Sequence, residues 1–246
     1  MEEECAAMDV SELEQWRSVC EIRYPARARL FDIRGLIIQK TVTKTLTKWR
    51  KSQNRVDIFS KDETVRYFAS FKNAGSVMEQ PASVTVFRDG TVKFLRRVME
   101  DLRIGELSRI GVRFYYLVRV PNFEKLVDVM MRGLYRLSDD DWQQVGGVPI
   151  DVGFPLTLKF GRRKANFMMG PMESSQLKGH FETDAVREKL PDASVFVDFD
   201  YYETNPSVGK KAPYRFVREF IDEASDTSRS YSEGLLAFAL SRGEAE

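Results

Sequence analysis

The sequence predicts an α+β protein: mostly antiparallel sheet with helices on one side, built from two similar halves packed together. Three observations carry that expectation. Aromatic and β-branched runs over residues 109–120 and 194–202 have the composition of long strands. Short apolar segments recur in pairs across polar turns, as hairpins do. Between them, apolar residues fall at three- and four-residue spacing, the period of a helix resting on a sheet.

Along the chain, residues 9–18 read as a short helix in which Ser11 and Glu14 form a capping box. Ile22, Tyr24, Ala26, Ala28 and Leu30 alternate with polar residues, so 19–33 read as a strand with an arginine-rich wet face. Residues 34–50 are ambiguous. Thr41-Val42-Thr43 favours a strand, whereas Lys40, Lys44 and Lys48 sit at helical spacing. One hairpin is expected from 56–59 and 65–71 around Ser60-Lys61-Asp62-Glu63, and a second from 83–87 and 91–95 around Arg88-Asp89-Gly90. A helix is expected over 95–103. Asn122 is placed to cap a helix reaching about residue 137, with Phe123, Leu126, Val127, Met130, Met131 and Leu134 on one stripe. Segments 156–160 and 165–169 pair across Gly161-Arg162-Arg163-Lys164, and two helices are expected at 214–225 and 231–242. Each half starts with a long strand and runs on into a hairpin, which divides the chain into 1–104 and 105–246.

Composition removes whole classes of function. The N-terminus is acidic (Glu2, Glu3, Glu4), unlike a signal peptide, and no apolar stretch reaches the ~20 residues of a membrane span. The two cysteines, Cys5 and Cys20, make no disulfide framework, so a reducing, cytoplasmic location is expected. The single histidine, His180, reads as a surface residue near a turn. Zinc sites needing two histidines cannot be assembled, and no Gly-x-Ser-x-Gly elbow accompanies His180. No cofactor is expected.

Carboxylate chemistry stays open. Asp198 and Asp200 lie two apart in a strand and share a face. With Glu203 just beyond, they form a candidate Mg²⁺ or Mn²⁺ site for a phosphodiesterase or nucleotide enzyme. The competing reading pairs both aspartates structurally with Arg109 and Arg113, which flank Gly111 on a neighbouring strand.

Charge is unevenly distributed. Residues 17–55 hold eleven Lys or Arg against Glu21 and Asp32, a local +9 within a chain of net charge +1. Arg27, Arg29, Lys40, Lys44, Lys48, Arg50, Lys51 and Arg55, with Trp49 able to stack on a base, form a candidate nucleic-acid or partner surface. Arg162, Arg163 and Lys164 at the hairpin tip form a second. Met168-Met169-Gly170-Pro171-Met172 would suit a pliable interface or a core.

Ser108-Arg109-Ile110-Gly111-Val112-Arg113-Phe114-Tyr115-Tyr116 resembles the R-I-G-L-R-Y strand of an uncharacterised, sporadically distributed prokaryotic family of about this length. Val195-Phe196-Val197-Asp198-Phe199-Asp200-Tyr201-Tyr202 resembles that family's later acidic strand, usually nearer L-L-D-I-D. The likeness runs over residues 105–240. It implies an accessory or sensing subunit of a mobile or defence-related system. The expected function is therefore non-catalytic binding of a protein partner, with nucleic acid as a further candidate and assembly into an oligomer or larger complex.

Overall fold

The computed structural model describes residues 11–135, 139–147, 149–207 and 213–243. The chain begins β1 (Glu14–Arg23), α1 (Leu30–Thr41), β2 (Leu46–Lys51), β3 (Arg55–Ser60), β4 (Val65–Ser70), β5 (Asn73–Glu79) and α2 (Val84–Leu102). It continues through β6 (Arg109–Arg119), α3 (Phe123–Leu134), α4 (Asp139–Val145), β7 (Phe154–Phe160) and β8 (Arg163–Glu173). Two short helices, α5 (Ser174–Leu177) and α6 (Asp184–Arg187), precede β9 (Ala193–Thr204) and α7 (Pro213–Gly243).

The nine strands of the described residues form one antiparallel sheet in the order β2-β3-β4-β5-β1-β6-β9-β8-β7. β1 and β6 lie side by side near the middle, so the sheet is continuous across residues 104 and 105. From that pair outward, β5-β4-β3 and β9-β8-β7 occupy matching places, and α2 and α7 follow them in the chain.

Strand alternation divides the sheet into two unlike faces. Ile22, Ile58, Val112, Phe114, Val197 and Phe199 point toward the long helices α1, α2, α3 and α7 and build the main core. The other face is mostly polar. One end of it is covered by residues 174–190, whose Leu177, Phe181, Val186 and Leu190 pack on Trp16, Tyr115, Leu117 and Phe196. The long helices are thus on one side, with a short helical cap opposite. Trp16 reaches that cap because a bulge between Gln15 and Arg17 turns it out of register.

Local signals misled at several places. Residues 83–95 are not a hairpin but the start of α2. The Ser83 hydroxyl accepts from Val86 N at 3.2 Å, and Phe87, Thr91, Phe94, Leu95, Val98 and Leu102 are buried at helical spacing. Gly90 makes no turn. It is where α2 approaches the sheet, since a Cβ there would lie 2.4 Å from Tyr67 Oη. Of the helix expected at 9–18, the described residues 11–18 are instead the lead-in and first half of β1, because a strand paired on both sides outweighs a local cap. Ser11 bonds the β6 backbone, donating its N–H to Arg119 O at 3.3 Å and accepting from Arg119 N at 2.8 Å. The strand expected over 19–33 ends at Arg23, and α1 begins at Leu30. The ambiguous stretch resolves into both readings, helix to Thr41 and strand from Leu46. β5 carried little strand signal because its Ala74, Gly75 and Ser76 are small; a Cβ on Gly75 would lie 2.8 Å from the Phe68 ring that covers it.

The capped helix after Asn122 forms, with Asn122 Oδ1 accepting from Lys125 N at 2.8 Å, and ends at Leu134. The two closing helices are one helix of 31 residues. Its polar middle looked like a break, yet Ser225, Ser228 and Ser232 are buried. Ser228 Oγ is 2.7 Å from Tyr116 Oη, and the Ser232 hydroxyl donates to Ser228 O at 2.6 Å. Small residues let α3 and α7 touch through their backbones. A Cβ on Gly133 would stand 2.0 Å from Ala239 O.

Two glycines therefore respond oppositely to alanine. Gly133→Ala should lower stability by about 1–3 kcal/mol through overpacking. Gly234→Ala, on the same α7 with nothing within 4 Å of its Cβ, should raise it by up to about 1 kcal/mol through helix propensity. Denaturant midpoints read both; equal signs would contradict the close α3–α7 contact.

Candidate functional site

On the polar face of the sheet, β6, β9 and β8 bring the two sequence motifs together. Asp198 and Asp200 emerge together there, as their two-residue spacing requires. Arg113 lies opposite Asp200 in register but reaches diagonally to Asp198. Its Nε donates to Asp198 Oδ1 at 2.7 Å and its Nη2 to Oδ2, a two-pronged bond. Arg109 donates from Nη2 to Asp200 Oδ2 at 3.3 Å. Arg109 lies over Gly111, where a Cβ would be 3.3 Å from the guanidinium, and over the Tyr202 ring at 4.8 Å. Gly111 is thus the gap that lets one arginine cross a row of the sheet to its acid.

These groups edge a cleft of about 440 Å³. Arg113, Asp198 and Asp200 lie on one side, with Asn166 and Met168 of β8 and Thr157 of β7 on the other. Burial pushes the Asp200 carboxyl above its ordinary range, against the opposing pull of Arg109 and Arg113. The Arg113 guanidinium is held still more firmly protonated by its bonds to Asp198.

Glu203 does not join the two aspartates. Three residues after Asp200, it points to the helix side, where it is buried and accepts from Arg163 Nε at 3.3 Å. The alternative reading of Asp198, Asp200 and Glu203 as one metal-binding triad fails on strand parity. Among the described residues no three His, Cys, Asp or Glu side chains gather as ligands, and both aspartates already face guanidinium groups.

His180, expected at the surface, is half-buried. Its ring packs 4.5 Å from Phe196 and 5.9 Å from Tyr115 beneath the cap. Burial pushes its pKa down, with Asp198 opposing and Arg113 and Arg17 assisting. The cap is fastened by Glu79, a buried carboxylate that accepts from Glu182 N at 2.7 Å, Thr183 N at 3.1 Å and the Thr183 hydroxyl. Arg17 donates to His180 O at 2.5 Å, and Arg66 pairs with Glu182 at 2.7 Å. Nothing in the sequence pointed to this latch, because its partners lie about a hundred residues apart.

The basic block is dispersed. Alternation sends Lys48, Arg50 and Arg55 to the polar face, paired in register with or beside Phe59, Asp57 and Ser70. Trp49, 56% exposed, and Lys51 lie opposite Ile58 and Val56, on the helix side. Arg29 bonds Asp101 O at 2.7 Å and Lys40 bonds the Asp101 carboxylate at 2.6 Å. Lys48 pairs with Glu63 and Arg55 with Asp57. Arg27 is half-buried, and Lys44 is exposed in the connection to β2.

The hairpin tip also splits. Gly161 takes the turn at φ +60°, Arg162 stays exposed, and Arg163 turns inward between Glu203 and Glu223, 5.2 Å over Phe220. Lys164 faces out on the polar side, directly opposite Lys159. Of the methionine run, Met169 is core and Met168 lines the cleft. The acidic residues Glu2, Glu3 and Glu4, and Cys5 with them, lie outside the described residues. No helix among the described residues is long and apolar enough to cross a membrane.

Compared with known families and curated proteins, the chain matches no family model and no curated sequence.

Neutralising the two aspartates separates their roles. Asp198→Asn removes the charge and one of the two acceptors facing a partly exposed Arg113 and should lose about 1–2 kcal/mol. Asp200→Asn should lose less, because burial already disfavours its charged form. Comparable losses in chemical denaturation would contradict this. A lowered folded pKa means the unfolded chain takes up the His180 proton first, so this contribution is present above about pH 6.5. It declines as pH falls below that value, and His180→Phe should flatten the acid limb of a stability–pH profile.

Proposed function

We propose that the protein is a non-catalytic binding module that receives a protein partner on the uncapped part of the polar sheet face around Arg109, Arg113, Asp198 and Asp200. One observation carries this reading. The four charged groups best placed for chemistry are matched into two ion pairs on one strand face, with Glu203 on the other side and the His180 ring packed between aromatics. A mosaic of both charge signs beside a cleft suits the mixed surface of a protein better than a polyanion. The resemblance of the two motif strands to a sporadic prokaryotic family supports the role of accessory subunit in such a system. The matching places of β5-β4-β3 and β9-β8-β7 support reading the chain as two similar halves.

A nucleic-acid reading draws support from Lys159 and Lys164, which oppose each other in register. Like charges so placed are destabilising unless an anion sits between them.

Footprinting tests the main reading. Carboxyl labelling of Asp198 and Asp200 and oxidation of Met168 should fall when the protein is isolated with its partner from the native host. Arg113→Glu should abolish that association while leaving the fold intact. Protection confined to α1, α2 and α7 would overturn it. So would a tight Mn²⁺ site by calorimetry that Asp198→Ala removes without unfolding. For the second reading, affinity for a random single strand should fall steeply with salt, and less steeply in the Lys159→Glu, Lys164→Glu double variant; a flat salt response excludes it.

A further inference from the structure

α3 is apolar on two stripes, the second of them partly buried: Val127 is 6% exposed and Phe123 packs against the edge of the core. Its Leu126, Val129, Met130 and Gly133 are buried among its own contacts with α7 and the sheet. Phe123, Val127 and Met131 recur every four residues along a second stripe, and this stripe forms one wall of a cleft of about 750 Å³. Trp142 of α4 and Pro149 and Ile150 of the following segment form the other wall. Ile150 is 88% exposed, the most exposed large hydrophobic among the described residues. The rim is acidic: Glu124, Asp128 and Glu173 face the cleft against one guanidinium, Arg132, which is paired with Asp128.

We infer that this cleft is a docking groove for a basic amphipathic helix of a partner protein. Apolar anchors at helical spacing would lie along Phe123, Val127 and Met131, with lysines or arginines over Glu124 and Glu173. The walls select a helix over an added strand, because helices, with backbone groups bonded internally, line the groove and no sheet edge opens into it. The acidic rim repels a nucleic acid or an anionic lipid surface. Charge complementarity would steer a basic segment in, and the apolar stripe would hold it. None of Arg109, Arg113, Asp198 and Asp200 lines this groove, so neither reading depends on the other.

The test uses the full chain and two model peptides of about five helical turns, one built of Leu and Lys and the other of Leu and Glu in the same amphipathic pattern. The Leu/Lys peptide should bind with one-to-one stoichiometry by calorimetry and the Leu/Glu peptide should not. Ile150→Asp and Glu124→Lys change exposed side chains and should each weaken binding by about tenfold or more, with circular dichroism unchanged. Arg113→Glu on the opposite face should leave the affinity as it was. Equal binding of both peptides, non-saturating binding, indifference to the two groove variants, or no binding at all would overturn the proposal.

Discussion

β1 and β6 run antiparallel beside each other from Glu14–Leu117 to Arg23–Arg109, and the other elements take their places from that pairing. Because the sheet is continuous through it, one alternation of side chains holds from β2 to β7. Apolar residues on one parity collect four long helices, while arginines and aspartates on the other stay beside water. Had β1 been the helix its first residues suggest, the two outer sets of strands would have no common floor.

The same parity governs the chemistry of the polar face. Asp198 and Asp200 are brought within reach of Arg113 and Arg109, and Glu203 is carried to the far side and neutralised by Arg163. A cluster of acids that looks catalytic as a string of letters becomes two separate electrostatic arrangements with the sheet between them. Gly111 illustrates how small the decisive feature is: one absent side chain opens the path by which Arg109 reaches Asp200. Glu79 does comparable work at the other end, satisfying two backbone N–H groups of the cap that would otherwise be buried without acceptors.

Much of the second half was legible. Residues 109–120 and 194–202 announce themselves by aromatic and β-branched content, and the Gly161 turn and the Asn122 cap by local chemistry that acts within a few residues. The ion pairing of Arg109 and Arg113 with Asp198 and Asp200 was legible too, because shared parity and opposite charge are both readable from spacing. The first half was harder. Asp89-Gly90 carries a turn signal, but Phe87, Thr91, Phe94 and Leu95 only decide for a helix once a sheet lies beneath them.

Sequence alone determined the α+β class, the faces of the two motif strands and the exclusion of zinc sites built on two histidines, since each rests on residue type and short-range period. Tertiary structure alone decided the central place of β1, the single α7, the packing of His180 against Phe196, the scattering of the basic block and the groove beside α3. These depend on partners far apart in the chain, and a contact between residues a hundred positions apart leaves no periodic trace in either segment.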